Sequence, residues 1–261
     1  MRADIGLAEV RRGTMLELLM PLMTPTTAVA AALVAFAGVL RGFSGFGSAM
    51  VLAPSLAALY PLTEAVPLVI LLEVALSFQL LPGAMRLVVW REIGVMSAAA
   101  LPGLAAGAWL LTTVPGQTLR IGVSLLIVLF LVLIAFQVRR HGPKTAAGLG
   151  AAGVLSGVAN GASGVGGPPI VLYYLAGDDG SAAVRATVIC YFFVIDVASA
   201  AIFGVQGLLT RDVLLLTLVC APAAVAGVWL GSRWFDGASE QLYRRVAYGI
   251  IAAAALVGPF V

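Results

Sequence analysis

Apolar residues run along this chain in long blocks separated by short polar breaks. In order, the blocks are 26–60, 64–81, 93–112, 118–138, 145–177, 183–205, 212–232 and 242–260. A helix needs about 20 apolar residues to cross the roughly 30 Å hydrocarbon core of a bilayer. Six blocks match that length and are predicted as single transmembrane helices. The other two, 26–60 and 145–177, are too long, since about 35 residues of straight helix would extend about 52 Å. Both contain a glycine-rich run, RGFSGFG at 41–47 and ANGASGVGGPP at 159–169. A mid-helix glycine costs about 1 kcal/mol relative to alanine, and a proline about 3. The helix is therefore predicted to break at 42–47 and at 160–168, at membrane depth. Residues 1–25 mix Asp4, Glu9, Arg11, Arg12 and Glu17 with a short apolar tail, and are predicted as a cytoplasmic or interfacial segment. No small-residue cleavage site follows a clean apolar core there, which argues against a signal peptide.

The order of blocks repeats. GFSGFGSAMVLAPSLA at 42–57 aligns with GASGVGGPPIVLYYLA at 161–176, with six of sixteen positions identical. LPGLAAGAWL at 101–110 aligns with APAAVAGVWL at 221–230, with five of ten identical. Arg91 and Glu92 match Arg211 and Asp212, and Glu73 matches Asp196 across a short insertion. The chain therefore divides into a first repeat at 26–138, a basic linker at 139–144 and a second repeat at 145–261.

Composition makes lipid the solvent for most of this chain. Of its 261 residues, 61% are hydrophobic and only 10% charged, with a mean hydropathy of +1.07. Soluble domains carry roughly 25% charged residues. The predicted fold is an all-α polytopic membrane protein of about eight transmembrane helices, in two four-span repeats, with the first helix of each repeat broken. The net charge of +3 would suggest nucleic acid in a soluble protein, but here the basic residues sit mostly in short connections and read as orientation signals. Loops 82–92 and 139–144 are basic, whereas 113–117 and 178–180 carry no basic residue. If each long block crosses once, the basic loops fall in the cytoplasm together with both termini. An even number of crossings per half then implies parallel repeats about the membrane normal. Arg233, Arg244 and Arg245 flank an outside loop in that arrangement and run against it. Glycine segments that re-enter from one side would change both count and symmetry.

The breaks carry the candidate chemistry. Broken backbone is tolerated in a membrane only where protein or a wet cavity satisfies the freed polar groups. A helix restarting after a break presents unpaired N–H groups and partial positive charge, which suits an anion. Matched breaks in two repeats point to a transporter's binding site. The alternative is close helix packing, which suits Gly103, Gly107 and Gly227 better than the dense runs. Ser44 and Ser163 are matched hydroxyls beside the breaks, either ligands or bonded back to an upstream carbonyl. Arg41 is either a substrate counter-charge or a snorkelling anchor. Asn160 offers two donors and an acceptor, and is read without a polar counterpart in the first repeat. Glu73 and Asp196 are matched intramembrane acids, candidates for proton coupling or for a structural role. Tyr173, Tyr174 and Tyr191 read as packing or interfacial aromatics. Cys190 and Cys220 read as buried small hydrophobes. With His141 as the single histidine, no metal site, haem site or Ser-His-Asp set can be assembled. No cofactor is expected, and no P-loop marks an ATP-driven motor.

These motifs resemble those of the sulfite exporter TauE/SafE family, also called the 4-toluene sulfonate uptake permease family. The marks are RGFSGFGSAMVLAPSLA, its copy SGVANGASGVGGPPIVLYYLAG, and the paired AWL and VWL segments, spread over about 26–260. The resemblance implies a multi-pass permease of the bacterial inner membrane, with seven or eight helices, that moves small sulfur-containing or organic anions. It places a substrate role on Ser44, Gly45, Gly47, Ser163, Gly164 and Gly166. The expected substrate-binding set is these six with Arg41, Phe46, Asn160 and Gly167. The function expected is secondary active transport of a sulfonate, sulfoacetate or sulfite, with proton or other ion coupling. A passive anion channel, or a permease for carboxylates, is the alternative, and enzymatic activity is not expected. Partners are the small anion, the lipid bilayer and, as an option, a second copy of the chain, with no nucleic acid.

Overall fold

A computed structural model describes residues 24–119, 121, 122, 125, 129, 142–177 and 179–257, with side chains described as far as residue 250. The N-terminal segment, most of the block 118–138, and His141 lie outside the described residues. The described helices are α1 (Pro25–Ser44), α2 (Ser48–Ala57), α3 (Leu62–Ala84), α4 (Trp90–Thr113), α5 (Ala146–Ser163), α6 (Gly167–Leu175), α7 (Ser181–Val205), α8 (Arg211–Asp236) and α9 (Glu240–Val257), and helix also resumes at 116–119. No strand occurs among the described residues. Five of these helices, α1, α3, α4, α7 and α8, are long and apolar enough to cross a membrane.

The core is apolar, and the outer surface is apolar as well. Phe78 is 61% exposed and Trp109 60%, with Phe36, Leu218 and Trp234 also facing outward. Arg41, Glu73, Asn160 and Asp196 are buried. Apolar side chains face outward because lipid costs them nothing, and polar ones gather where they can pair.

Glycine sets the tightest helix contacts. A Cβ on Gly103 would lie 2.5 Å from the Val154 carbonyl oxygen, and one on Gly107 2.3 Å from that of Val158. On Gly227 it would lie 2.1 Å from the Ala35 carbonyl oxygen. These three glycines serve close packing, as their spacing suggested. The register also gives direction. Gly103 meets Val154 and Val158 while Gly107 meets Val158 and Ala162, so α4 and α5 run the same way. Gly38 meets Ala224 and Val228 while Gly42 meets Val228 and Ser232, so α1 and α8 do too. In contrast α3 and α7 are antiparallel: Glu73 and Asp196 line one cavity, and the Phe78 ring contacts Phe193.

The long block 145–177 does not cross once. Lys144, just before α5, pairs with Asp179, just after α6, at 2.8 Å. The Thr145 N–H donates to the Tyr173 hydroxyl at 3.3 Å. Both ends of this segment therefore lie on one face of the bundle, and α5–α6 is a hairpin. That face also carries Glu92, which pairs with Lys144 at 3.0 Å. Ser181 and Glu240 are bonded to each other there too, through the Ser181 N–H at 3.0 Å. Burial works against the Lys144 ammonium, but hydrogen bonds to Asp179 and Glu92 outweigh it and hold its pKa above the ordinary lysine value.

The block 26–60 also reverses. Helix α9 leaves the same face, and along it Tyr243 donates to the Ser44 carbonyl at 3.0 Å while Ile250 abuts Gly47. The chain thus reaches toward that face at Ser44 and is already receding at Gly47. Hairpin α1–α2 enters from the opposite face. The expectation of one crossing per long block is therefore corrected at both. Each breakpoint is shorter than predicted. Residues 41–44 and 160–163 remain helical, and the interruptions are Gly45–Gly47 and Gly164–Gly166. Gly45 and Gly164 end their helices at φ +82 and +74, where a side chain would be strained.

Candidate functional site

The two hairpins bring their glycine breaks to one buried cavity. Arg41, Phe46 and Gly47 line it from the first hairpin, and Asn160, Gly164, Gly166 and Gly167 from the second. Glu73 reaches in from α3, and Phe192 and Asp196 from α7. The cavity holds about 10 Å³ of space for a water-sized sphere, close to the size of one water. This conformation is closed, with no room for a ligand larger than one water.

Each hairpin supplies one polar side chain from equivalent positions, and each finds an acid and a serine on a facing helix. Arg41, 2% exposed, forms an ion pair through Nη1 with Glu73 Oε2 and donates from Nη2 to Ser77 Oγ at 2.6 Å. Its guanidinium lies 5.7 Å from the centre of the Phe192 ring. Arg41 is thus an interior cation rather than an anchor snorkelling to the surface. Asn160 Nδ2 donates to Asp196 Oδ1 at 3.1 Å and to Ser199 Oγ at 3.0 Å. Its Oδ1 accepts the Gly166 N–H at 3.2 Å, which ties the break to the helix before it. Ser156 Oγ adds a 2.7 Å bond to the Gly166 carbonyl. Arg41 Nε, Glu73 Oε1 and Asp196 Oδ2 are buried and have no hydrogen-bond partner. Buried polar atoms are nearly always paired, so unpaired ones around a shared cavity mark a place for a ligand or a proton.

Ser44 and Ser163 do not line the cavity. Ser44 Oγ lies 2.7 Å from the Leu40 carbonyl and accepts the Phe46 N–H at 3.3 Å. Ser163 Oγ lies 2.8 Å from the Ala159 carbonyl and accepts the Val165 N–H at 3.3 Å. Both hydroxyls close the ends of their helices. Gly45 packs against Arg185, whose Nη2 donates to the Gly42 carbonyl. Tyr174 donates to Glu92 at the mouth of the second hairpin. Cys190 and Cys220 are free and buried. Among the described residues no three His, Cys, Asp or Glu gather to hold a metal.

Sequence reasoning missed Ser77, Ser199, Phe192 and Met50. The serines carried a signal: Ser77 lies four residues after Glu73 and Ser199 three after Asp196, on the face of the acid in each helix. Phe192 and Met50 carried none, since an apolar residue that faces a cavity looks like one that faces a neighbour.

The model of the sulfite exporter TauE/SafE family matches residues 30–257. A relative, the probable sulfite/organosulfonate exporter TauE of Cupriavidus necator, is 26% identical over 217 residues, covering 80% of this chain and 84% of the relative. No solved structure matches the chain. The matched region contains both glycine breaks, the cavity and all the described helices apart from the first turn of α1, and the chain belongs to the sulfite exporter TauE/SafE family.

Proposed function

We propose that this protein is a secondary active transporter for a small sulfur oxyanion, sulfite or an organosulfonate, and that it couples the anion to a proton. The observation that carries this reading is the cavity between the two hairpin tips, lined by Arg41, Glu73, Asn160 and Asp196. One arginine offsets one of the two acids. A second carboxylate beside a bound anion would leave two uncompensated negative charges in a buried site, which is costly. An anion therefore enters together with a proton on one of these carboxyls, and Asp196, whose side-chain partner is the neutral Asn160, is the natural carrier.

The helix directions support an inverted-topology repeat, with one re-entrant hairpin per half and the hairpins inserted from opposite faces. Arg86, Arg91, Lys144, Arg233, Arg244 and Arg245 then share one face, which is the cytoplasmic one by the positive-inside rule. The basic residues that ran against eight crossings fall into line in this arrangement, and α1 then starts from the outer face instead of the cytoplasmic one expected for the termini. The test is flux into proteoliposomes. Sulfite or sulfoacetate uptake that saturates and accelerates with an imposed pH gradient fits the proposal. Unsaturable flux that ignores the gradient would make the protein a passive channel.

A further inference from the structure

The two hairpins restart their helices at the same cavity, but with different numbers of free donors. Helix α2 begins after Gly47, and no side chain caps it. The N–H groups of Gly47, Ser48, Ala49 and Met50 therefore have no intrahelical partner. Ser48 is fully buried, and its Oγ has no hydrogen-bond partner. Helix α6 begins after Gly166, whose N–H is already given to Asn160. Its next residues are Gly167, Pro168 and Pro169, and proline has no N–H. Only the Gly167 N–H remains free at that end.

The side chains follow the same division. Arg41, with its Nε unpaired, belongs to the first hairpin, while the second offers Asn160 with both its amide hydrogens and its oxygen engaged. A sulfite or sulfonate head presents three oxygens that each accept hydrogen bonds, and it donates few or none. It needs a fan of N–H donors and positive charge, which a free helix N-terminus beside a guanidinium supplies.

From this asymmetry we infer that the oxyanion head of the substrate is seated by the first hairpin alone, on the N-terminus of α2 with Ser48 and the Nε of Arg41. The second hairpin is a wall and a proton site, not a second anion seat. Arg41 keeps its Glu73 and Ser77 bonds while Nε turns to the substrate. This rests on the proposed function, since it assigns the anion's place within that same cavity. Ser48, unlike Ser44 and Ser163, has a free hydroxyl at that helix start; it lies behind the lining residues Gly47 and Ala49 and reaches the substrate only when the closed cavity opens.

The experiment compares proline at the two helix starts. Proline is tolerated in the first turn of a helix, so Ala49→Pro deletes one donor from α2 without ending it. Pro168→Ala with Pro169→Ala does the reverse in α6. Affinity for sodium sulfite and for sulfoacetate is measured by titration calorimetry on the full chain in detergent, with thermal melting as the control for folding. Ala49→Pro should weaken binding about tenfold or more, as expected for one hydrogen bond to a charged group. The double alanine variant should stay within about twofold of the parent, since the anion's hydrogen bonds to the α2 start are left untouched. Equal losses in both variants, or parental affinity in a well-folded Ala49→Pro, would overturn the inference. If Ala49→Pro does not fold, Ser48→Ala decides: parental affinity overturns the inference, and a severalfold loss supports it. A parent chain that binds neither anion overturns the functional reading as well. A parent that binds, with losses shared between the hairpins, overturns only the seat.

Discussion

The hairpins α1–α2 and α5–α6 share a frame and differ in charge. Each has a threonine-capped first helix, a left-handed glycine at its end and a serine that closes the turn. At the equivalent position one carries Arg41 and the other Asn160. Arg41 meets Glu73 and Ser77, and Asn160 meets Asp196 and Ser199. Two similar hairpins thus hold an ion pair on one side of a cavity and an amide–acid pair on the other. Two equal halves would attract an anion twice or not at all. Unequal halves separate the seat for a negative charge from the site that takes up a proton.

The largest expected effect comes from breaking the charged side. Arg41→Leu strands Glu73 in the interior, and loss of one partner of a buried pair costs about 3–5 kcal/mol. Melting in detergent should fall steeply and transport should stop. Pairing it with Glu73→Leu should restore melting but leave transport dead. Recovery of sulfite flux in the double variant would show that the ion pair is structural only.

The neutral side should respond differently. In Asp196→Asn the new amide oxygen still accepts from Asn160, so melting should stay near parental. Flux driven by a pH gradient should be lost while sulfite binding persists. Glu73→Gln, in contrast, removes the counter-charge of Arg41 and should cost stability as well. Parental, gradient-driven flux in Asp196→Asn would refute the assignment of proton and anion to separate halves.

A smaller effect tests the feature the hairpins share. Ser44→Ala and Ser163→Ala each remove a hydroxyl bonded to the backbone of a tip, and each should cost about 1 kcal/mol in stability. Affinity for sulfite should change little in either. A Kd that rises tenfold with unchanged melting would return these serines to the substrate.

The smallest effect lies at the mouth of the second hairpin. Lys144→Met removes partly exposed pairs with Glu92 and Asp179, worth about 1 kcal/mol or less. Because the folded lysine has a raised pKa, its contribution is whole below its ordinary value of 10.5 and fades as the pH climbs through the folded one. The melting difference between parent and Lys144→Met should therefore shrink in strongly alkaline buffer and hold steady from pH 6 to 9. A difference that grew with rising pH would contradict the pairing.

Much of this protein is determined by the sequence alone. The apolar blocks require helices in lipid, because no other open structure satisfies its backbone there. The glycine runs favour two breaks, because each mid-helix glycine weakens the helix and the second run adds a Pro-Pro step. The breaks and the matched acids bring Arg41, Asn160, Glu73 and Asp196 forward as candidates, and the cavity gathers all of them. Tertiary structure alone decided which way the chain leaves each break. A glycine permits many turns, and the choice of reversal rests on distant contacts such as Lys144 with Asp179 and Tyr243 with the Ser44 carbonyl. That choice converts crossings into hairpins and reorders the faces of the bundle. Tertiary structure also decided which polar atoms were left over. Ser44 and Ser163 stood beside the breaks in sequence, but their hydroxyls close the helix ends, while Arg41 Nε and Asp196 Oδ2 remain unpaired. Whether a polar group is free depends on every neighbour that might satisfy it, and most of those neighbours are far away along the chain.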